Sequence, residues 1–270
     1  MPILRALLCV ALVSGTAQAQ DAETLRARHA ALREQLASNP FGRPLHVESS
    51  ASGGAHKGEI HAVIEQPYAV VARALARPGN WCDILTLQLN VKGCNASTDG
   101  AGEALAALIT RKARDPADGA HRVDFRYEPV TASADYLAVA LGARSGPMGT
   151  RDYRIVVQAA PLDSQRTFLQ LSYAYSLGWM ARTAMDAYLA GAGRDKRGFT
   201  VEGGERGVVE RSAMRHYLAI EAYIESLSAA PAQRLEVRLR GWYAAIARYP
   251  QLHEPVGADE YVEMKRREAG

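Results

Sequence analysis

Apolar positions along this chain change their spacing several times, and each change marks a new kind of element. Residues 21–37 place Leu25, His29, Leu32 and Leu36 at helical spacing among charges, which predicts an amphipathic helix ended by Asn39-Pro40. Residues 42–50 and 57–65 then read as two strands joined by the Gly/Ser-rich turn SSASGGAHKG. Gln66-Pro67 opens a helix over YAVVARALA that stops at Pro78-Gly79, with a further helical turn at Trp81-Cys82-Asp83.

From residue 84 the spacing becomes two. ILTLQLNVK (84–92) sets Leu85, Leu87, Leu89 and Val91 on one face of a predicted strand, and NASTDGAGE is expected as a loop. EALAALITRK (103–112) is assigned to strand, and HRVDFRYE (121–128) turns Val123, Phe125 and Tyr127 inward. DYLAVALGA (135–143), RDYRIVVQA (151–159) and RTFLQLSYAY (166–175) complete a series whose short turns predict an antiparallel meander. Helical spacing returns at WMARTAMDAYLA (179–190), and GRDKRGFTVEGGERG (193–207) is a glycine-rich loop. RGVVERSAMRHYLAIEAYIESL (206–227) is the longest helix, with an apolar stripe of Val209, Ala213, Tyr217, Ile220, Ile224 and Leu227. Ala229-Ala230-Pro231 breaks it, QRLEVRLRGWYAAIARYPQL makes a final helix, and EYVEMKRREAG is expected to fray.

This order predicts an α+β fold: a curved antiparallel sheet whose apolar face is covered by a long C-terminal helix, with a tunnel between them. In that order of elements over about residues 40–228, the chain resembles the START and SRPBCC-like helix-grip superfamily. The stretches RSGPMGTRDYRI, YLAGAGRDKRGFT and VERSAMRHYLAIEAYIES also resemble an exported bacterial START-like group. The resemblance implies an internal cavity for a lipid, sterol or other hydrophobe. Two parts depart from the pattern: the helix 179–190 with its loop, either a lid or an outer decoration, and the tail 231–270. The expected organisation is a leader at 1–19, an N-terminal helix at 20–39, a helix-grip domain at 40–228 and a helical extension at 229–270.

The first residues, MPILRALLCVALVSGTAQAQ, have the form of an export signal: Arg5, an apolar run to Ala17, and the small-residue pattern Ala17-Gln18-Ala19. The run is too short to cross about 30 Å of hydrocarbon as an anchor. Cys9 follows Leu8 and lies too near the start for a lipid-modified cysteine. A periplasmic or secreted protein of roughly 250 residues is expected, enough for one large domain. The full sequence's net charge of +3, about +2 once Arg5 leaves with the leader, gives no long-range attraction to nucleic acid. In an oxidising compartment the remaining pair, Cys82 and Cys94, reads as a disulfide that contributes about 3 kcal/mol.

No nucleophile elbow, zinc-protease helix, phosphate-binding loop or dinucleotide fingerprint occurs, so no catalytic residue and no cofactor are assigned. No metal is assigned either, because His56 and His61 fall on opposite faces of a strand. Tyr173 and Tyr175 share a strand face with Leu169 and Leu171; with Met214, Tyr217, Ile220 and Ile224 they are the candidate cavity lining. Arg154, turned inward, would bind a headgroup or carboxylate; turned outward, it joins Arg151 and Asp152 in surface ion pairs. Glu221 borders the apolar stripe and is a candidate for an interior partner, while Glu210, Arg211, Arg215 and His216 are expected as mostly exposed polar positions. Arg194, Lys196 and Arg197, with Phe199 as apolar anchor, are candidates for docking on an anionic membrane.

Three functions fit. The first is an exported carrier that binds or transfers a hydrophobic, lipid-like molecule, with peripheral membrane contact. The second is an enzyme acting in the same cavity through a pair drawn from Arg154, Glu221, His216 and Tyr173. The third is a partner-binding scaffold of the cell envelope.

Overall fold

The computed structural model describes residues 13–99, 102–254 and 256–269. The Arg5 and Cys9 positions and most of the expected leader lie outside the described residues. Helix α1 (Val13–Ala31) runs through Ala17-Gln18-Ala19 and continues, after a break at Leu32, into α2 (Arg33–Ala37). Asn39 closes α2 by donating its side-chain amide to the carbonyls of Gln35 and Leu36.

Strands β1 (Leu45–Ser52) and β2 (Ala55–Ile64) form a hairpin turned by Gly53 and Gly54. Both glycines hold positive φ, +60° and +86°, as a two-residue hairpin turn requires. Helices α3 (Tyr68–Leu75) and α4 (Pro78–Leu85) carry the chain to the far edge of the sheet. There β3 (Val91–Asp99) starts a meander through β4 (Gly102–Ile109), β5 (His121–Ala132), β6 (Leu137–Ser145), β7 (Thr150–Pro161) and β8 (Thr167–Leu177). The antiparallel order β1-β2-β8-β7-β6-β5-β4-β3 closes the meander back onto the hairpin. Helix α5 (Trp179–Ala190) follows, then the long α6 (Gly204–Ser226), α7 (Arg234–Ala247) and α8 (Ala258–Ala269).

Helix α6 lies in the concave face and packs on β1, β2 and β8. It approaches closely at Gly58, where a Cβ would meet both the Ala213 Cβ and the Val209 carbonyl at 3.0 Å. The alternating residues Ile155, Val157, Leu169, Leu171, Tyr173 and Tyr175 all point into this main core. On the opposite face, Leu25, Leu32 and Leu36 of the N-terminal helices cover Val63, Ala138 and Phe168 in a second, smaller core.

Three expectations fail. The segment 84–92 is not a strand: Pro78 sits in the first turn of α4, and the helix continues through Leu85. Leu85, Leu87 and Leu89 are buried, but they reach the core from a helix end and the turns after it. The strand instead begins at Val91 and uses the expected loop, whose Asn95 and Ser97 pair with Ala106 and Ala104. The C-terminal tail does not fray; it forms α8, with Tyr261 and Lys265 buried. Tyr261 donates to the Leu87 carbonyl at 2.8 Å, and Lys265 Nζ donates to the Val91 carbonyl at 2.7 Å. Glu210 and Arg211 are buried. Glu210 accepts the Thr200 amide at 2.9 Å and the Ser49 hydroxyl at 2.6 Å, while Arg211 donates to the carbonyls of Lys196 and Arg197. Both organise the α5–α6 loop.

Cys82 of α4 and Cys94 of β3 are bonded, with Cα atoms 5.1 Å apart. Among the described residues, no helix is long and apolar enough to cross a membrane.

Candidate functional site

Because α6 leans on the β1-β2-β8 side, the concave surface of β4, β5 and β7 is left open beside it. A cavity of about 730 Å³ occupies that space. Ala107 and Ile109 of β4, Phe125 of β5, Tyr153 and Ile155 of β7, and Tyr173 of β8 form its floor. Leu85, Gln88, Leu89 and Asn90 form the roof, and α6 contributes Ser212, Arg215 and His216. Tyr188 of α5, Lys196 of the loop and Glu254 close one side, so the insertion between β8 and α6 does border the cavity. The volume falls within the roughly 300–1,000 Å³ common for small-molecule sites.

The lining also carries polar and charged groups, and several of them are already engaged. His216 Nδ1 lies 2.7 Å from the Ser212 carbonyl, which places the ring proton there and leaves Nε2 as an acceptor. Its ring stacks on Tyr173, centroids 4.6 Å apart, and the part of it not packed against protein borders the cavity. Burial, with a smaller push from Arg215, lowers its pKa to about 4, so it is neutral at pH 7. Burial also holds the Tyr173 and Tyr153 hydroxyls above the usual tyrosine range, keeping both as neutral phenols. Tyr153 donates to the Thr150 hydroxyl at 2.9 Å. Arg215 Nε donates to Glu254 at 2.8 Å. Gln88 is 6% exposed, and its Nε2 has no hydrogen-bond partner. Leaving such a donor unmatched costs about 1–3 kcal/mol.

Of the residues expected to line a cavity, Tyr173 does so. Leu169, Leu171 and Tyr175 share its face but are packed in the main core, as are Met214, Tyr217 and Ile220. Glu221 and Ile224 border a different hollow of about 600 Å³, between the 40–44 segment and residues 248–251. There Glu221 is held by Arg43, whose guanidinium donates at 2.8 Å to Glu221 Oε2 and at 2.8 Å to the Tyr217 hydroxyl. Arg154 is outside the cavity. Ile155 and Val157 take the inner face, and Arg154 points outward, 3.7 Å from Glu128 with 55% of its side chain exposed.

Phe199 is not a surface anchor, because it packs against Phe41 and Tyr249 beside the second hollow. Arg194, Lys196 and Arg197 are exposed as expected. Exposed large apolar residues occur at the other end of α5, at Trp179 (79%), Met180 (62%) and Met148 (61%).

Sequence reasoning did not find Gln88, Tyr153, Arg215 or Glu254. Gln88 sits in the run misread as a strand, which would have turned it outward. Tyr153 enters the cavity because β7 is bulged between Arg151 and Arg154, with Asp152 at φ +54°. Glu254 reaches Arg215 across a sequence separation of 39.

No family model and no curated protein matches the chain. Similar solved structures include the Zhui aromatase/cyclase from Streptomyces sp. R1128, at TM-score 0.41 and 16% identity, covering 68% of this chain and 98% of that one. A norcoclaurine synthase from Thalictrum flavum gives 0.38 and 10%, covering 51% and 86%. Ara h 8.0201 gives 0.37 and 13%, covering 64% and 99%. At these TM-scores the likenesses carry no weight; the helix-grip assignment rests on the strand order and the gripped α6.

Proposed function

We propose that this protein is an exported carrier that binds a hydrophobic, lipid-like small molecule in the cavity between the sheet and α6. The observation that supports it is a hollow of about 730 Å³ with a mostly apolar and aromatic floor at that position. Burying roughly 200 Å² of apolar ligand surface contributes about 5 kcal/mol at ~25 cal/mol per Å². Several of the polar groups around it are already engaged, which favours holding a ligand over acting on one. Export is part of the same reading, supported by the leader-like start and by the disulfide.

Exchange with a bilayer fits two exposed features at the ends of α5: Met148, Trp179 and Met180 at its start, and Arg194, Lys196 and Arg197 beyond its end. Tyr188 and Lys196 connect the second of these to the cavity. Tryptophan favours the membrane interface, and the cations suit an anionic surface.

The test is to purify the protein from its producing cells, extract it with organic solvent and analyse the extract by mass spectrometry. A co-purified amphiphile at near one equivalent, absent from an Ile155→Trp variant that fills the cavity, is the expected result. An empty extract together with no uptake of fluorescent acyl probes would sink the carrier reading. Intact mass of the exported protein should correspond to a start near Gln20. Sedimentation with phosphatidylglycerol vesicles, reduced by Trp179→Ala and absent with phosphatidylcholine, checks the membrane contact.

A further inference from the structure

The charges around the cavity define its ligand more narrowly, an inference that rests on the carrier reading above. Its lining includes the cations Arg111, Lys112, Arg114, Lys196 and Arg215, and a single anion, Glu254. Glu254 is already bound to Arg215 at 2.8 Å, and Arg114 is bound to Glu260 at 2.8 Å. Arg111, Lys112 and Lys196 are exposed, which places them at the mouth, and none has an acidic partner among the described ion pairs. Asp115 accepts the Lys112 backbone amide, and Asp195 is turned to solvent beside Arg194.

Deeper in, Leu85, Leu89, Phe125, Ile155 and Tyr173 offer apolar and aromatic surface and no charge. An apolar floor and a cationic rim describe one kind of molecule.

We propose that the ligand is an anionic amphiphile: an apolar or aromatic body in the cavity and one acidic head, carboxylate or phosphate, among Arg111, Lys112 and Lys196. Low-dielectric walls focus the field of these cations on the entrance. An uncharged analogue keeps the body contacts but not this attraction. A cationic analogue is repelled. Salt weakens the preference, because the rim is exposed and the screening length at 0.15 M is about 8 Å.

The experiment is calorimetric titration of the delipidated full-length mature protein with four probes below their micelle concentrations. They are dodecanoate, dodecyl phosphate, dodecanol and dodecyltrimethylammonium. At least one acid is expected to bind tenfold or more tighter than dodecanol, and the ammonium probe more weakly than the alcohol. The acid–alcohol gap should shrink at 0.5 M salt. It should also shrink in an Arg111→Gln/Lys112→Gln/Lys196→Gln variant, which should weaken binding of the acid more than binding of dodecanol. A preference for dodecyl phosphate assigns a phosphate head, and one for dodecanoate a carboxylate. Acid and alcohol binding equally, or the ammonium probe binding best, overturns the proposal and leaves the carrier reading intact. Binding of none of the four removes both.

Discussion

Two histidines are buried in their neutral form, and acidification should find them. His61, fully buried between α1 and the outer face of β2, is lowered to about 4 by burial first and Arg28 second. Arg28 Nε donates to its Nε2 at 3.3 Å, with Glu48 and His46 close by. His216 is lowered to about 4 by burial beside the cavity. An unfolded histidine titrates near 6.5. Between pH 6.5 and 4 the unfolded chain therefore binds more protons than the folded one, and stability falls as pH drops through that window. At pH 5 an unfolded histidine is almost fully protonated and these two are about one-tenth protonated, so each costs about 2 kcal/mol relative to pH 7. The assay is urea unfolding at pH 7 and pH 5, disulfide intact, for wild type, His61→Gln and His216→Gln. Each variant should lose about 2 kcal/mol less than wild type on acidification. Proton NMR titration of the imidazoles gives the same values directly. An identical acid loss in all three proteins would refute the claim that these rings are held neutral by burial.

The disulfide closes a short loop between α4 and β3, so the Cys82→Ala/Cys94→Ala protein should be less stable by about 3 kcal/mol in chemical denaturation. Glu268 accepts from both Lys92 and Lys265 at 2.9 Å. Glu268→Gln leaves two buried ammonium groups without a counter-charge and should cost about 3 kcal/mol, read as early loss of α8 amide protection in hydrogen exchange. Lys265 is lowered to about 8, first by burial, so docking of α8 should strengthen as pH rises from 8 toward 9.5, where only the unfolded chain still holds that proton. Gly58→Ala should destabilise by roughly 1–3 kcal/mol and perturb ligand binding, because the new methyl pushes α6 off β2.

Elements whose residues alternate or recur over many positions were legible in the sequence. The β5–β8 strands, α5 and α6 needed only their own periodicity, because one face of each meets the same core. The errors fall where an edge or a helix end decides. Leu85, Leu87 and Leu89 look like a strand because each is buried, yet their burial comes from a helix that Pro78 starts upstream. Asn95–Ser97 carries no strand signature, because an edge strand such as β3 is specified mainly by its partner β4. The tail looked solvated because α8 is mostly charged; its attachment depends on Tyr261 and Lys265 reaching backbone carbonyls of the 87–91 segment.

The same distinction explains why the site was harder to read than the fold. Periodicity identifies which residues face inward, but not which inward residues are covered. Leu169, Leu171, Met214 and Ile220 face inward and are packed, because α6 presses on the β2 side, where Gly58 permits close approach. Tyr173 faces inward at the boundary of that contact and lines open space. The cavity is thus the uncovered remainder of the concave surface, and its position follows from one close helix–strand contact. Its walls then come from parts that no single pattern joins: the turn after α4, the β4–β5 loop, the loop after α5, and Glu254 beyond α7. These additions place the unpaired cations and the unmatched Gln88 around a hollow that the helix grip alone would leave apolar. The gripped core accounts for the existence of a cavity, while the connecting segments account for the chemistry of what it holds.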